Sequence, residues 1–134
     1  MNNQPGTDSE NELTQLLLSL KDEDYCYLTT TGRVSGRPHE IEIWFAIKDN
    51  TLYLLSGGGD KSDWVRNLRA YPAVTVRIGK YTFTGKARIV DDEKEDLMVR
   101  YMLAEKYQEW SEDKSLSDWA RTALPVSIDF HRGE

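Results

Sequence analysis

Two short stretches of this chain carry the residue types that bind an anion and a flat ring. In Thr31-Gly-Arg-Val-Ser-Gly-Arg-Pro-His39, two glycines, two arginines, two hydroxyls and an imidazole crowd one turn, with no acid among them. Glycines let backbone N–H groups approach an anion, and arginine grips phosphate through two parallel hydrogen bonds. Alone, such a turn reads more simply as a β-turn with solvated arginines. The second stretch is Ser56-Gly-Gly-Gly-Asp-Lys-Ser-Asp-Trp-Val-Arg-Asn67, which leaves a strand and enters a helix. Its glycines allow the backbone to lie against a ring or a phosphate, and the helix N-terminus behind them adds positive potential. Together the two stretches read as walls of a site for a phosphorylated, ring-bearing cofactor.

Other chemistries are poorly served. The spacing matches neither the Walker A loop nor the dinucleotide Gly-x-Gly-x-x-Gly fingerprint. His39 and His131 are the only histidines, and neither has a carboxylate or cysteine at ligand spacing, so no metal site is expected. No nucleophile elbow is present. Glu40 and Glu42 fall on one face of a strand and read as a solvated face rather than a glycosidase pair.

The elements that must position these residues follow from periodicity. Residues 1–9 are polar and read as a disordered arm, leaving residues 10–134 as one domain. Leu13, Leu16, Leu17 and Leu20 recur at helical spacing, so a helix is expected over 9–21. Strands are expected at Tyr25–Thr31, His39–Lys48, Thr51–Ser56, Ala73–Ile78, Tyr81–Val90 and Pro125–Phe130. In the second of these, Ile41, Ile43, Phe45 and Ile47 alternate with Glu40, Glu42, Trp44 and Ala46. A short helix reaches Ala70 from a cap at Asp60 or Ser62. A longer one covers 92–109 with Leu97, Tyr101, Ala104 and Tyr107 inward, and a third lies near Leu116–Thr122. Six short strands and few helices suggest a small closed or half-open antiparallel barrel.

Bulk properties agree with one small domain. The chain has 134 residues, 39% hydrophobic and 30% charged, and a net charge of −6. Residues 31–90 hold ten Lys/Arg against five Asp/Glu, whereas the rest holds seven against eighteen. A local anion site within an acidic protein fits this distribution, and nucleic acid does not. The single cysteine, Cys26, lies in an apolar run and reads as a buried spectator in a cytoplasmic protein. No signal peptide and no membrane span are expected. Four Trp and seven Tyr supply rings for packing, and exposed barrel edges make a homodimer plausible.

Leu28-Thr-Thr-Thr-Gly-Arg33, Ser35-Gly-Arg-Pro38, Trp44-Phe45, Leu54-Leu55-Ser56-Gly-Gly-Gly59, Trp64, Asn67-Leu68, Pro72 and the alternation Val74, Val76, Ile78 resemble the deazaflavin-dependent nitroreductase family. That family belongs to the flavin- and deazaflavin-dependent oxidoreductases. The resemblance runs from about Leu28 to Ile78 and resumes at Tyr107-Gln-x-Trp110 and Arg121-Thr-x-x-Pro125. It implies an α+β, mainly β fold: a split β-barrel of about six antiparallel strands, FMN-binding-like, with flanking helices. It implies coenzyme F420 as cofactor, held by Arg33, Ser35, Gly36 and Arg37 at the phosphate-bearing tail and by His39, Glu42, Ile43 and Trp44 along the ring. Leu54, Leu55, Ser56 and Gly57 would present backbone to the deazaflavin, while Asp63, Trp64 and Asn67 close the far side. Trp44 and Tyr107 would shape the substrate pocket.

The implied activity is hydride transfer from reduced F420 to a small flat acceptor such as a quinone, nitroaromatic or enone, with no essential catalytic side chain. The family often has Lys, Arg and Lys where Val34, His39 and Gly57 stand here, with Arg37 and Lys61 as the available compensating cations. Three rivals follow: an FMN enzyme of the same barrel, similar to pyridoxamine-phosphate oxidase relatives; a module that holds deazaflavin or tetrapyrrole without turnover; and a plain structural domain.

Overall fold

The computed structural model describes residues 5–130, with side chains from Glu12 onward. Residues 1–4 and 131–134, including His131, lie outside the described part. The elements are α1 (Pro5–Leu20), β1 (Cys26–Thr31), β2 (Pro38–Ile43), β3 (Ala46–Lys48), β4 (Thr51–Ser56), α2 (Asp63–Ala70), β5 (Ala73–Ile78), β6 (Tyr81–Ile89), α3 (Glu93–Gln108), α4 (Asp118–Thr122) and β7 (Leu124–Phe130). A single 3₁₀ turn, Gly59–Lys61, precedes α2. Helix α1 begins at Pro5, so residues 5–9 belong to a helix and not to the expected arm.

All seven strands pair antiparallel in one curled sheet of order β2-β1-β5-β6-β7-β4-β3, a split β-barrel. The strand expected over His39–Lys48 is therefore two strands that occupy opposite ends of this order. The break has a local cause. Phe45 N–H donates to the Tyr107 hydroxyl at 3.0 Å, and Phe45 C=O accepts from Lys106 Nζ at 3.0 Å. Side chains of α3 thus take the backbone groups that a neighbouring strand would have paired. Joining the two edges through Trp44-Phe45 curls the sheet around Phe45, Leu28, Leu54, Val76 and Ile128, all fully buried.

Strand β4 is covered on both faces, which its sequence Thr-Leu-Tyr-Leu-Leu-Ser does not disguise. Leu52 and Leu54 point into the barrel interior. Tyr53 and Leu55 join Ala46, Val90, Val99, Leu103 and Ala123 in a second core beneath α3. The inward face of α3 is thus Val99, Leu103 and Ala104, with Tyr107 beside it, whereas Leu97 and Tyr101 are exposed, contrary to expectation. Tyr101 instead packs on Trp110 with ring centroids 4.6 Å apart. Cys26 is buried and unpaired, and the surrounding apolar core pushes its thiol up to about 12.

Candidate functional site

Two clefts flank β2, which is an edge strand and so leaves one side uncovered. The first, about 510 Å³, opens where the Gly32–Arg37 turn meets α2, and its lining includes Arg33, Val34, Ser35, His39, Asp63, Trp64 and Asn67. The second, about 570 Å³, lies at the other end of the strand and is lined by Tyr25, Glu42, Ile43, Trp44, Leu55, Gln108 and Trp119. Both volumes fall in the range of small-molecule sites.

The turn of the first cleft is closed by its own backbone. Gly32 N–H donates to Arg37 C=O at 2.7 Å, Gly36 N–H donates to Gly32 C=O at 2.8 Å, and Arg37 N–H donates to the Ser35 hydroxyl at 3.1 Å. A Cβ at Gly32 would meet His39 Nε2 and Ser35 Oγ at 2.7 Å, so only glycine lets these two side chains close over it. Gly36 sits at φ +74, which glycine adopts without cost. Arg33 N–H donates to Asn67 Oδ1 at 3.1 Å. Within the turn this leaves Val34 and Ser35 as consecutive N–H groups with no acceptor among the described residues. Consecutive free amides in a turn are groups that can bind an anion.

Asn67 explains how the turn is held. It is 4% exposed, accepts from both the amide and the guanidinium of Arg33 (3.1 and 2.9 Å), and donates to Thr30 Oγ1 at 3.2 Å. The Arg33 guanidinium also reaches Asp63 Oδ1 at 3.2 Å. With a further Nη1 contact to Asp63 C=O at 3.5 Å, both hydrogens of Nη1 and one of Nη2 are occupied, so Nε–H and the second Nη2 hydrogen remain for a ligand. The positive end of α2 is less free than the sequence suggests, because the Asp63 carboxylate stands in its first turn. Ser62 occupies the N-cap position but makes no cap bond there; its hydroxyl pairs with Ser56 Oγ at 2.8 Å.

The second cleft is built around Trp44, which remains 42% exposed. Its ring stacks on Tyr107 with centroids 4.4 Å apart and planes 3° from parallel, and meets Trp119 edge-on at 5.4 Å and 88°. The Tyr107 hydroxyl accepts from Phe45 N–H and donates to Asp24 C=O (2.8 Å) or Phe45 C=O (3.1 Å). Burial raises this phenol to about 12. Tyr107 thus backs Trp44 and is not a lining residue itself.

The structure gathers Arg33, Ser35, His39, Asp63, Trp64 and Asn67 in one cleft and Glu42, Ile43, Trp44 and Leu55 in the other. Leu54 is fully buried in the barrel interior and reaches neither, since alternation on β4 sends it opposite to Leu55. Ser56 is 1% exposed, its hydroxyl turned to Gly59 C=O at 2.9 Å, while Gly57 is exposed beneath Trp119. Gly36, Arg37 and Lys61 stand outside both linings. Sequence reasoning missed Tyr25, Gln108 and Trp119. Tyr25 was legible in principle, because it precedes Cys26 and alternation turns it outward. Trp119 was hidden by its place in a five-residue helix.

A curled antiparallel sheet with a donor-rich cleft and an aromatic cleft on one edge strand makes this a split-barrel protein. Solved structures share this fold. A conserved hypothetical protein from Mycobacterium tuberculosis is 23% identical, with a TM-score of 0.73 over 98% of this chain and 87% of that one. An F420-H2 dependent reductase is 23% identical, with 0.61 over 79% and 94%. The heme storage protein HutZ from Vibrio cholerae is 18% identical, with 0.65 over 90% and 92%. Residues 8–130 match the model of the F420H(2)-dependent quinone reductase family, and the chain belongs to that family. It is therefore an F420-dependent oxidoreductase, with coenzyme F420 as its cofactor.

Proposed function

We propose that the chain passes a hydride from reduced coenzyme F420 to a flat, electron-poor acceptor such as a quinone, a nitroaromatic or an enone. The observation that carries this reading is the placement, at the two ends of β2, of a turn with two unbonded amides and spare arginine donors and of an aromatic cleft. A group with a phosphate-bearing tail and a flat ring fits that donor set. Arg33 and the Val34 and Ser35 amides would hold the tail, with Gly36, Arg37 and His39 at its rim. Ile43, Trp44, Leu55 and the Ser56-Gly57 backbone would flank the ring, while Asp63 and Asn67 fix Arg33 and Tyr107 fixes Trp44.

When bound, reduced deazaflavin supplies the hydride; the chain binds, orients and excludes water. Trp44, Ile43 and Leu55 line the ring cleft with apolar surface, which favours a planar acceptor over water.

Titration of the purified chain with coenzyme F420 and, separately, with FMN tests the reading. Deazaflavin fluorescence should change saturably at micromolar protein, with weaker binding of FMN; an unchanged signal overturns it. Arg33→Ala should weaken F420 binding at least about tenfold. It should lower stability by only about 1–2 kcal/mol, because its Asp63 pair is solvent-exposed and Asn67 keeps the Arg33 backbone amide. A large Tm loss with unchanged affinity would make the arginine purely structural.

A further inference from the structure

The ring cleft holds a single charged residue. Of its lining groups, only Glu42 bears a charge; Trp44, Trp119 and Tyr25 supply rings and Gln108 an amide. One Glu42 oxygen, Oε1, accepts from the Tyr27 hydroxyl at 2.9 Å, which leaves Oε2 uncommitted. Tyr27 is the cross-strand partner of Glu42, so register fixes this contact. The nearby cation is committed elsewhere: Arg77 stacks over the Tyr27 ring at 4.2 Å and lies 3.9 Å from Glu40. Among the described residues no Lys or Arg pairs with Glu42. A carboxylate without a Lys or Arg partner, in a cleft that also holds two perpendicular indoles, is the combination that favours a cationic guest, through both Coulomb attraction and the ring quadrupoles.

We propose that Glu42 makes this cleft selective for planar acceptors that carry a positive charge and against anionic ones of the same shape. The inference rests on the reductase reading above and names the substrate class of the same site. The carboxylate acts by charge and not by shape, so its removal should erase the preference between acceptors rather than the ability to hold a flat ring. Glu42→Gln is the informative change, because its amide oxygen still accepts from Tyr27 and the strand pairing is retained.

Three naphthoquinones with a common ring and a trimethylammonium, neutral or sulfonate side chain test this. Their binding is followed by tryptophan quenching in the cofactor-free chain, and their kcat/KM with reduced F420. Wild type should bind the cation about tenfold more tightly than the anion at low salt, and less selectively as salt rises. Glu42→Gln should reduce that ratio to about twofold or less. No charge order in wild type, or a ratio unchanged in Glu42→Gln, overturns the proposal while leaving the reductase reading intact. Charge order abolished by Glu42→Gln, with reduced F420 oxidised by none of the three, supports the selectivity of the cleft and overturns the reductase reading instead.

Discussion

Lys106 is a half-buried cation held against the barrel core. Its ammonium lies 3.7 Å from the Phe45 ring centroid and donates to Phe45 C=O, and burial lowers it to about 8. Asp22 and Asp24 oppose that drop, and Lys21 adds to it. The unfolded chain would hold this proton to about 10.4. Between these values the unfolded state binds more protons, so this group makes stability rise with pH from about 8 to about 10.5. Cys26 and Tyr107, both raised to about 12, act in the opposite direction once the unfolded groups ionise. A difference measurement isolates the lysine. Urea unfolding of wild type and Lys106→Met at a series of pH values should show wild type gaining on the variant between about pH 8 and 10. A flat difference would mean that Lys106 titrates normally. The polar side chain of Asn67 on an apolar helix face hinted at a ligand contact, yet three protein hydrogen bonds satisfy it. Only the distant partners Thr30 and Arg33 could reveal that.

At the scale of elements, alternation was enough to find the sheet but not to break it. Ile41, Ile43, Phe45 and Ile47 keep one period through the bend, so nothing local marks the exchange of strand partners at Trp44-Phe45. The bend depends on Tyr107 and Lys106, more than sixty positions away and at the far end of α3. The same distance effect misled the reading of α3. The Leu97 and Tyr101 row is as apolar as the buried Val99 and Leu103 row, and only the second core beneath β4 chooses between them. Tyr107→Phe therefore carries a specific expectation. It keeps the ring stacked under Trp44 but leaves Phe45 N–H without its acceptor, which should cost about 1–3 kcal/mol. Acceptor binding should weaken as well, since Trp44 adjoins the released bend. Chemical denaturation and tryptophan quenching by a neutral quinone, measured on the same preparation, check both parts. Loss of stability with unchanged quenching would detach Tyr107 from the ring cleft.

For the whole molecule, the two clefts share one strand whose neighbours lead without interruption across the sheet to its other edge. Strand β6 stands at the centre of that order, and Gly85 at its middle pairs with Val74 on one side and Phe130 on the other. A Cβ at Gly85 would meet Asp129 C=O, Ile128 and the Phe130 ring, each at 2.8 Å. The neighbours are backbone and packed core, which cannot step aside as an exposed side chain would. Gly85→Ala should thus destabilise by about 1–3 kcal/mol through overpacking, although no ligand-binding group lies near it. Because the sheet is continuous, that loss should lower one cooperative transition and not a local one. Melting followed by far-ultraviolet circular dichroism and by tryptophan fluorescence should shift together, with F420 affinity of the folded variant unchanged. Separate transitions would instead show that the sheet and the elements carrying the tryptophans do not melt as one unit.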